Sequence, residues 1–270
     1  MSDGPDLNQG SDPLRRVEGS PSEDPRGFYT AGYSLSDRSE ADRMGRWRAL
    51  GARSKADHAV KLCARAGLHP GSLVEIGCGD GALLAELGAR GLASVLKGFE
   101  LSPPAGELAR ARSIRGARRI EAFDGEHVPA ADGAYDLAVL SHVLEHVPEP
   151  GPLLREAARV APAVLVEVPL EANRSAARPA KRDEAARIGH IQFLDRAAVH
   201  ALIRAAGLRV AAELSDPLPY AHHAFFAASR AARARAALKT GIRRTAWRAA
   251  PRAAERVFTV HYACLARRMA

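Results

Sequence analysis

The segment Ser141-His142-Val143-Leu144-Glu145-His146 places two imidazoles and a carboxylate at i, i+3 and i+4, a spacing that puts all three on one face of a helical turn. Imidazole titrates nearest neutrality of the side chains, so His146 is a candidate general base, or the group that orients an acceptor for reaction. Together the three form a donor set suited to a divalent cation, and each alone could simply hydrogen-bond neighbouring backbone. The sequence leaves these uses open and assigns no metal site. The same letters spell H-x-x-E-H, the inverted zinc-protease motif, but their position directly after a buried apolar run argues against hydrolysis. A further histidine, His190 in Gly189-His190-Ile191-Gln192-Phe193, is a candidate for shaping an acceptor pocket or for a structural loop role.

Upstream lies Val74-Glu75-Ile76-Gly77-Cys78-Gly79-Asp80-Gly81, a glycine turn of the kind that lets backbone approach a ligand at a helix N-terminus. Gly77, Gly79 and Ala82 also satisfy G-x-G-x-x-G/A, so a nicotinamide-type oxidoreductase is a competing reading at this point. Glu100 follows about twenty residues on, where a ribose-binding acid belongs. Its carboxylate accepts hydrogen bonds only, and so can take both protons of a ribose diol.

These residues need a sheet with one ligand-bearing edge. From residue 72 short apolar runs alternate with helical patterns, as parallel strands buried on both faces do. Strands are expected at 72–77, 94–100, 118–123, 135–141 and 163–168, with helices at 82–90, 103–112 and 151–160 between them. Asp195 caps a further helix, followed by Gly207 and a strand at 208–214. The expected fold is α/β, a Rossmann-like doubly wound sheet, mostly parallel with an antiparallel last strand drawn from 257–266 and a helical insertion at about 224–250 before it. Ahead of the sheet, residues 1–26 read as a disordered tail and 27–70 as a helical cap in which Ser54 starts a helix that Gly67 ends. Tyr29 and Tyr33 there would pack on the domain or close over the ligand as a lid.

Two later motifs separate the cofactor readings. Phe123-Asp124-Gly125-Glu126-His127-Val128-Pro129 and Ala134-Tyr135-Asp136-Leu137 through His146-Val147 resemble the corresponding motifs of class I S-adenosylmethionine-dependent methyltransferases acting on small molecules. Four motifs in order, over about residues 73–214, carry the resemblance. It implies S-adenosylmethionine as cofactor, with Glu75, Gly77, Cys78 and Gly79 on its methionine part, and Glu100 and Leu101 at the ribose. Asp124 and Gly125 would serve the adenine, and Ser141 and His142 would flank the sulfonium, with His142, His146 and His190 as the catalytic candidates. The chain is similar here to ubiquinone-biosynthesis O-methyltransferases, which carry Glu where it has His142, a change that disfavours magnesium. It lacks the Asn/Asp-Pro-Pro-aromatic sequence of base N-methyltransferases, which disfavours adenine in DNA. Glu171 and Asn173, after the fifth strand, would either project toward the acceptor or belong to a solvated loop. The implied reaction is methyl transfer to a small-molecule, sugar- or lipid-linked acceptor, at oxygen. A non-catalytic cofactor-binding interaction protein is the alternative of another class.

The 270 residues carry a net charge of +8, and its distribution matters more than its size. From Arg230 onward eleven Lys/Arg face the single acid Glu255, giving +10, so the rest of the chain is −2. The basic segment 230–252 is either a solvated helix or a peripheral contact for a membrane or a phosphate-bearing acceptor. With few aromatics to stack on bases, it disfavours nucleic acid. Three scattered cysteines without a C-x-x-C pair suit a reduced, cytoplasmic setting.

Overall fold

The computed structural model describes residues 23–269. The tail expected over 1–26 lies, through residue 22, outside the described residues. Asp24 caps α1 (Pro25–Tyr33) by accepting from the Gly27 amide at 2.8 Å. Asp37 then caps α2 (Arg38–Arg65), which is one continuous helix. Ser54 therefore sits within a helix instead of starting one: no proline interrupts 38–65, and Ala52, Ala56, Ala59, Leu62 and Cys63 form a buried stripe that holds it to the sheet.

The sheet and its crossovers follow: β1 (Ser72–Ile76), α3 (Ala82–Ala89), β2 (Val95–Glu100), α4 (Pro103–Ala111), β3 (Ala117–Ala122), β4 (Leu137–Ser141), a 3₁₀ turn at Leu144–His146, α5 (Pro150–Val160) and β5 (Ala163–Pro169). Then come α6 (Pro179–Arg187), α7 (Arg196–Ala205), β6 (Leu208–Asp216), α8 (Tyr220–Ala224), α9 (Arg230–Ala249), α10 (Pro251–Val257) and β7 (His261–Arg268). Strand order is β3-β2-β1-β4-β5-β7-β6, with β1 to β5 parallel and β7 antiparallel to both its neighbours.

Alternation along each strand feeds two cores. In β4, Ala138 and Leu140 join one cluster with residues of α5 and α7, while Leu137 and Val139 join the other with α2 and α3. The sheet is thus covered on both faces, as strands buried along their whole length, such as β4 and β5, require. The insertion is larger than expected, comprising three helices. Pro251 opens α10 at a first-turn position, so 256–257 are helical and the last strand starts only at His261.

Candidate functional site

Parallel strands β1, β2, β3 and β4 end at one edge, where the chain must turn, and the turns carry the functional side chains. The glycine turn after β1 holds positive φ at Gly77 (74°), Gly79 (55°) and Gly81 (73°), a region that costs other residues strain. A Cβ at Gly77 would stand 2.8 Å from Val143 Cγ2. Cys78 turns its buried thiol toward the sheet beside Gly98, so it can offer a ligand only its backbone. Glu100, 7% exposed, reaches across this turn: one carboxylate oxygen accepts from the Gly79 amide at 2.7 Å and the other from Ser102 at 2.8 Å. Each oxygen keeps a lone pair for a ribose hydroxyl. Burial pushes the Glu100 carboxyl up.

Strand pairing brings Asp124 to the same edge, because Glu100 lies opposite Ala122. Asp124 is exposed and accepts from the amides of Glu126 and His127, which hold its carboxyl below the ordinary range. A Cβ at Gly125 (φ 97°) would lie 3.7 Å from Leu101, so the turns that follow β2 and β3 pack side by side at this edge. Glu75 is fully buried, its carboxyl raised to about 8 by desolvation. Its Oε2, the Ser141 hydroxyl, the Tyr29 hydroxyl and both oxygens of Glu145 are buried without hydrogen-bond partners. Orphaned polar atoms along a ligand-bearing edge are costly unless a ligand satisfies them, and a nucleoside joined to a charged amino acid matches this set.

Over the turn lies α1. Tyr33 puts its hydroxyl 2.7 Å from where a Gly79 Cβ would be, and Arg48 stacks on its ring at 4.8 Å while pairing with buried Asp80 at 2.8 Å. Arg112 completes the grip on Asp80. Tyr29 meets the His146 ring edge-on at 5.4 Å. Both tyrosines therefore cover the site.

The three-residue face expected of His142, Glu145 and His146 is not formed as one unit. His142 sits at φ 56° before the 3₁₀ turn and belongs to a separate group. Its Nε2 lies 3.3 Å from His261 Nδ1, and its Nδ1 3.0 Å from Glu145 Oε1, out of line for a hydrogen bond. Burial holds it uncharged, well below the ordinary imidazole range. His146 instead pairs with His190, ring centroids 4.8 Å apart. The Gly189 carbonyl can only accept, so His146 donates to it from Nδ1 at 3.0 Å and Nε2 keeps its lone pair. Burial lowers His146 to about 4. His190 Nδ1 contacts the Glu171 carboxylate at 2.6 Å, while Asn173 is spent on Leu170 and Ala176 of its own loop and on Thr259 ahead of β7, so it does not serve an acceptor.

Sequence reasoning missed His58, Glu167 and His261. His58 lies between two carboxylates, Glu167 at 3.1 Å and Asp216 at 3.1 Å; burial alone would lower it, but those bonds raise it to about 9. Two groups bring their donor atoms within 4.8 Å of one another, His142 with Glu167 and His261, and Glu145 with His146 and His190. Among the described residues the three cysteines are free and buried, and no helix is long and apolar enough to cross a membrane.

Residues 45–213 match the family described as Methyltransferase domain. Over 97 residues the chain is 33% identical to a ubiquinone biosynthesis O-methyltransferase of Sodalis glossinidius (strain morsitans), a match spanning 35% of this chain and 38% of that protein. Its fold is shared with a SAM-dependent methyltransferase of Thermotoga maritima, with TM-score 0.56, 18% identity, and 86% of this chain and 95% of that one covered. It is shared too with geranyl diphosphate C-methyltransferase of Streptomyces coelicolor A3(2), with TM-score 0.58, 15% identity and 80% and 77% covered; that structure holds Mg²⁺, geranyl diphosphate and S-adenosyl-L-homocysteine. The family match sets aside the nicotinamide and non-catalytic readings. Because it covers more than half of the chain, including the glycine turn, Glu100 and the edge they share, this protein belongs to the S-adenosylmethionine-dependent methyltransferases.

Proposed function

We propose that this chain methylates an oxygen of a small-molecule or lipid-linked acceptor, with Nε2 of His146 taking the acceptor's proton. Bound in the cradle, S-adenosylmethionine supplies a methyl group already activated on a sulfonium, so holding the acceptor in line can carry much of the rate. Glu75, Gly77, Cys78 (through its backbone) and Gly79 would hold the amino-acid part, Glu100 and Leu101 the ribose, Asp124 and Gly125 the adenine, and Ser141 the sulfonium's surroundings. A hydroxyl acceptor is weakly acidic and gains from a base.

The observation that carries this reading is the tautomer of His146: its Nδ1 is committed to the Gly189 carbonyl, leaving an uncharged Nε2 free on a half-buried ring that meets Tyr29 edge-on. His190, in contact with Glu171, borders the same space and would orient the acceptor. The O-methyltransferase relative supports oxygen as the target. Exposed Leu238 and Ile242 on α9, set among Arg235, Lys239 and Arg243, support a lipid-linked acceptor met at a membrane surface.

Purified protein given S-adenosylmethionine with a deuterated methyl group, together with lipid and metabolite extracts, should yield products labelled as methyl ethers or esters by mass spectrometry. His146→Ala should cut kcat about 100-fold or more while S-adenosylhomocysteine binds as before. Label on nitrogen or carbon, or an unchanged kcat, would overturn the reading.

A further inference from the structure

Beside the acceptor space, where β7 closes the sheet against β5, His142, Glu167 and His261 converge. His142 Nε2 and His261 Nδ1 are 3.3 Å apart, and His261 Nδ1 is 3.4 Å from Glu167 Oε1. Those spacings match the edges of a tetrahedron whose centre lies about 2.0–2.2 Å from imidazole nitrogen and carboxylate oxygen, the bond lengths of zinc. The remaining edge is no longer than 4.8 Å. Glu167 is 0% exposed, and its Oε2 has no hydrogen-bond partner. Its Oε1, the oxygen on that edge, also faces His58 Nδ1 at 3.1 Å; a fully buried carboxylate whose second oxygen is bare is a costly arrangement that a cation held at Oε1 would relieve.

The groups behind these three are arranged as outer partners of a metal site are. Metal-bound imidazoles commonly pass their other nitrogen to a carboxylate or carbonyl, and the carboxylate nearest His142 Nδ1 is Glu145, with Oε1 3.0 Å away though out of line for a hydrogen bond. Glu167 is oriented by His58, which is itself fixed by Asp216. Around the site stand the carboxylates of Glu145, Glu167 and Asp216, opposed by the Lys55 ammonium, whose field reaches His142, and by His58. Two nitrogens and one oxygen suit a borderline ion better than magnesium, which prefers oxygen alone.

We infer that His142, Glu167 and His261 form a tetrahedral zinc site, three protein donors leaving the fourth position for water or an acceptor oxygen. This does not rest on the assignment of His146 as base. Nor does it use the neighbouring group of Glu145, His146 and His190, in which both imidazoles belong to the acceptor space.

The full chain, stripped of metal with a chelator, would be titrated with Co²⁺ and with Zn²⁺. One equivalent of Co²⁺ should give the intense visible bands of tetrahedral coordination, and Zn²⁺ should displace it. His261→Gln and Glu167→Gln should weaken zinc by more than the about 10- to 100-fold expected for His58→Gln, an outer partner. His190→Gln should leave zinc affinity unchanged. Because His261 lies in a sheet strand, folding of each variant is checked by S-adenosylhomocysteine binding. His261→Cys provides a second route, since it should restore zinc and add a thiolate-to-cobalt charge-transfer band. Absence of tetrahedral bands in the unaltered protein would overturn the proposal. So would loss of binding on His190→Gln with none on His261→Gln, or His261→Cys without the new band.

Discussion

Glu75 shows how one buried carboxyl links cofactor binding to pH. Desolvation raises it to about 8, far above an unfolded glutamate, so the folded apo protein holds a proton that the unfolded chain releases. The contribution of this group to apo stability is therefore highest below the ordinary carboxylate range and falls as pH climbs toward about 8. The ammonium of the cofactor's amino acid favours the charged carboxylate, so binding expels that proton. S-adenosylhomocysteine affinity should then rise by up to about tenfold per pH unit between pH 6 and 8, read by calorimetry in buffers of different ionisation heat, and Glu75→Gln should flatten the slope. Glu100→Ala would remove the proposed ribose contacts and the anchor of the Gly79 amide, and at about 1.5–3 kcal/mol for each hydrogen bond to a charged group the loss of even one should weaken the same ligand about 10- to 150-fold. The positions of Glu75, Gly77, Gly79, Glu100 and Asp124 could be read from sequence because each lies within three residues of the end of a strand. His58, Glu167 and His261 could not, since they meet across 109 residues of chain in one pair and only the folded sheet juxtaposes them. His142 misled for a different reason: i, i+3, i+4 spacing presumes helical backbone, and its φ of 56° breaks that geometry, leaving its Nε2 beside His261.

Helix α1 is short, and what keeps it over the glycine turn is a few side chains. Phe28 is buried, with Gly189 (φ 86°) lacking a Cβ that would come within 2.7 Å of its ring. Tyr33 is held by stacking under Arg48, which the Asp80 ion pair fixes in turn. Phe28→Ala should loosen the helix and shorten the residence time of bound S-adenosylhomocysteine, with affinity falling through the off-rate, as stopped-flow fluorescence would show. An unchanged off-rate would mean α1 packs without gating. Element boundaries were legible wherever a cap and an apolar period agreed, as at Asp195, whose carboxylate accepts from the Ala198 amide at 2.8 Å. They were not where a helix former stood on each side of a potential start. Ser54 has the side chain of a cap, yet the helical run continues on both sides of it. Helix α6 had no legible signal, because its apolar content is almost nil.

At the scale of the whole molecule, His58 joins α2 to β5 and β6 through two ionic contacts. His58→Ala would leave a fully buried carboxylate poorly compensated, and loss of one partner of such a pair costs about 3–5 kcal/mol, which urea unfolding in chelator should register. Helix α9 makes a surface prediction: replacing exposed Leu238 and Ile242 by Glu should reduce binding to anionic vesicles at least about tenfold, and no change would separate the acceptor from any lipid surface. The doubly wound order was legible from the alternation of runs and the antiparallel last strand from the resemblance, but nothing in the letters of β7 says that it, and not β6, lies against β5. That place orders the folding events. Strand β7 is later in the chain than β6 yet lies between β6 and β5, so β6 has no seat until its successor has docked. During that interval β5, destined for burial along its whole length, carries an unpaired edge of the kind that recruits stray strands. The late arrival of residues 261–268 should consequently be the slow, aggregation-exposed stage of refolding, and chaperone dependence should end when that single strand slides home.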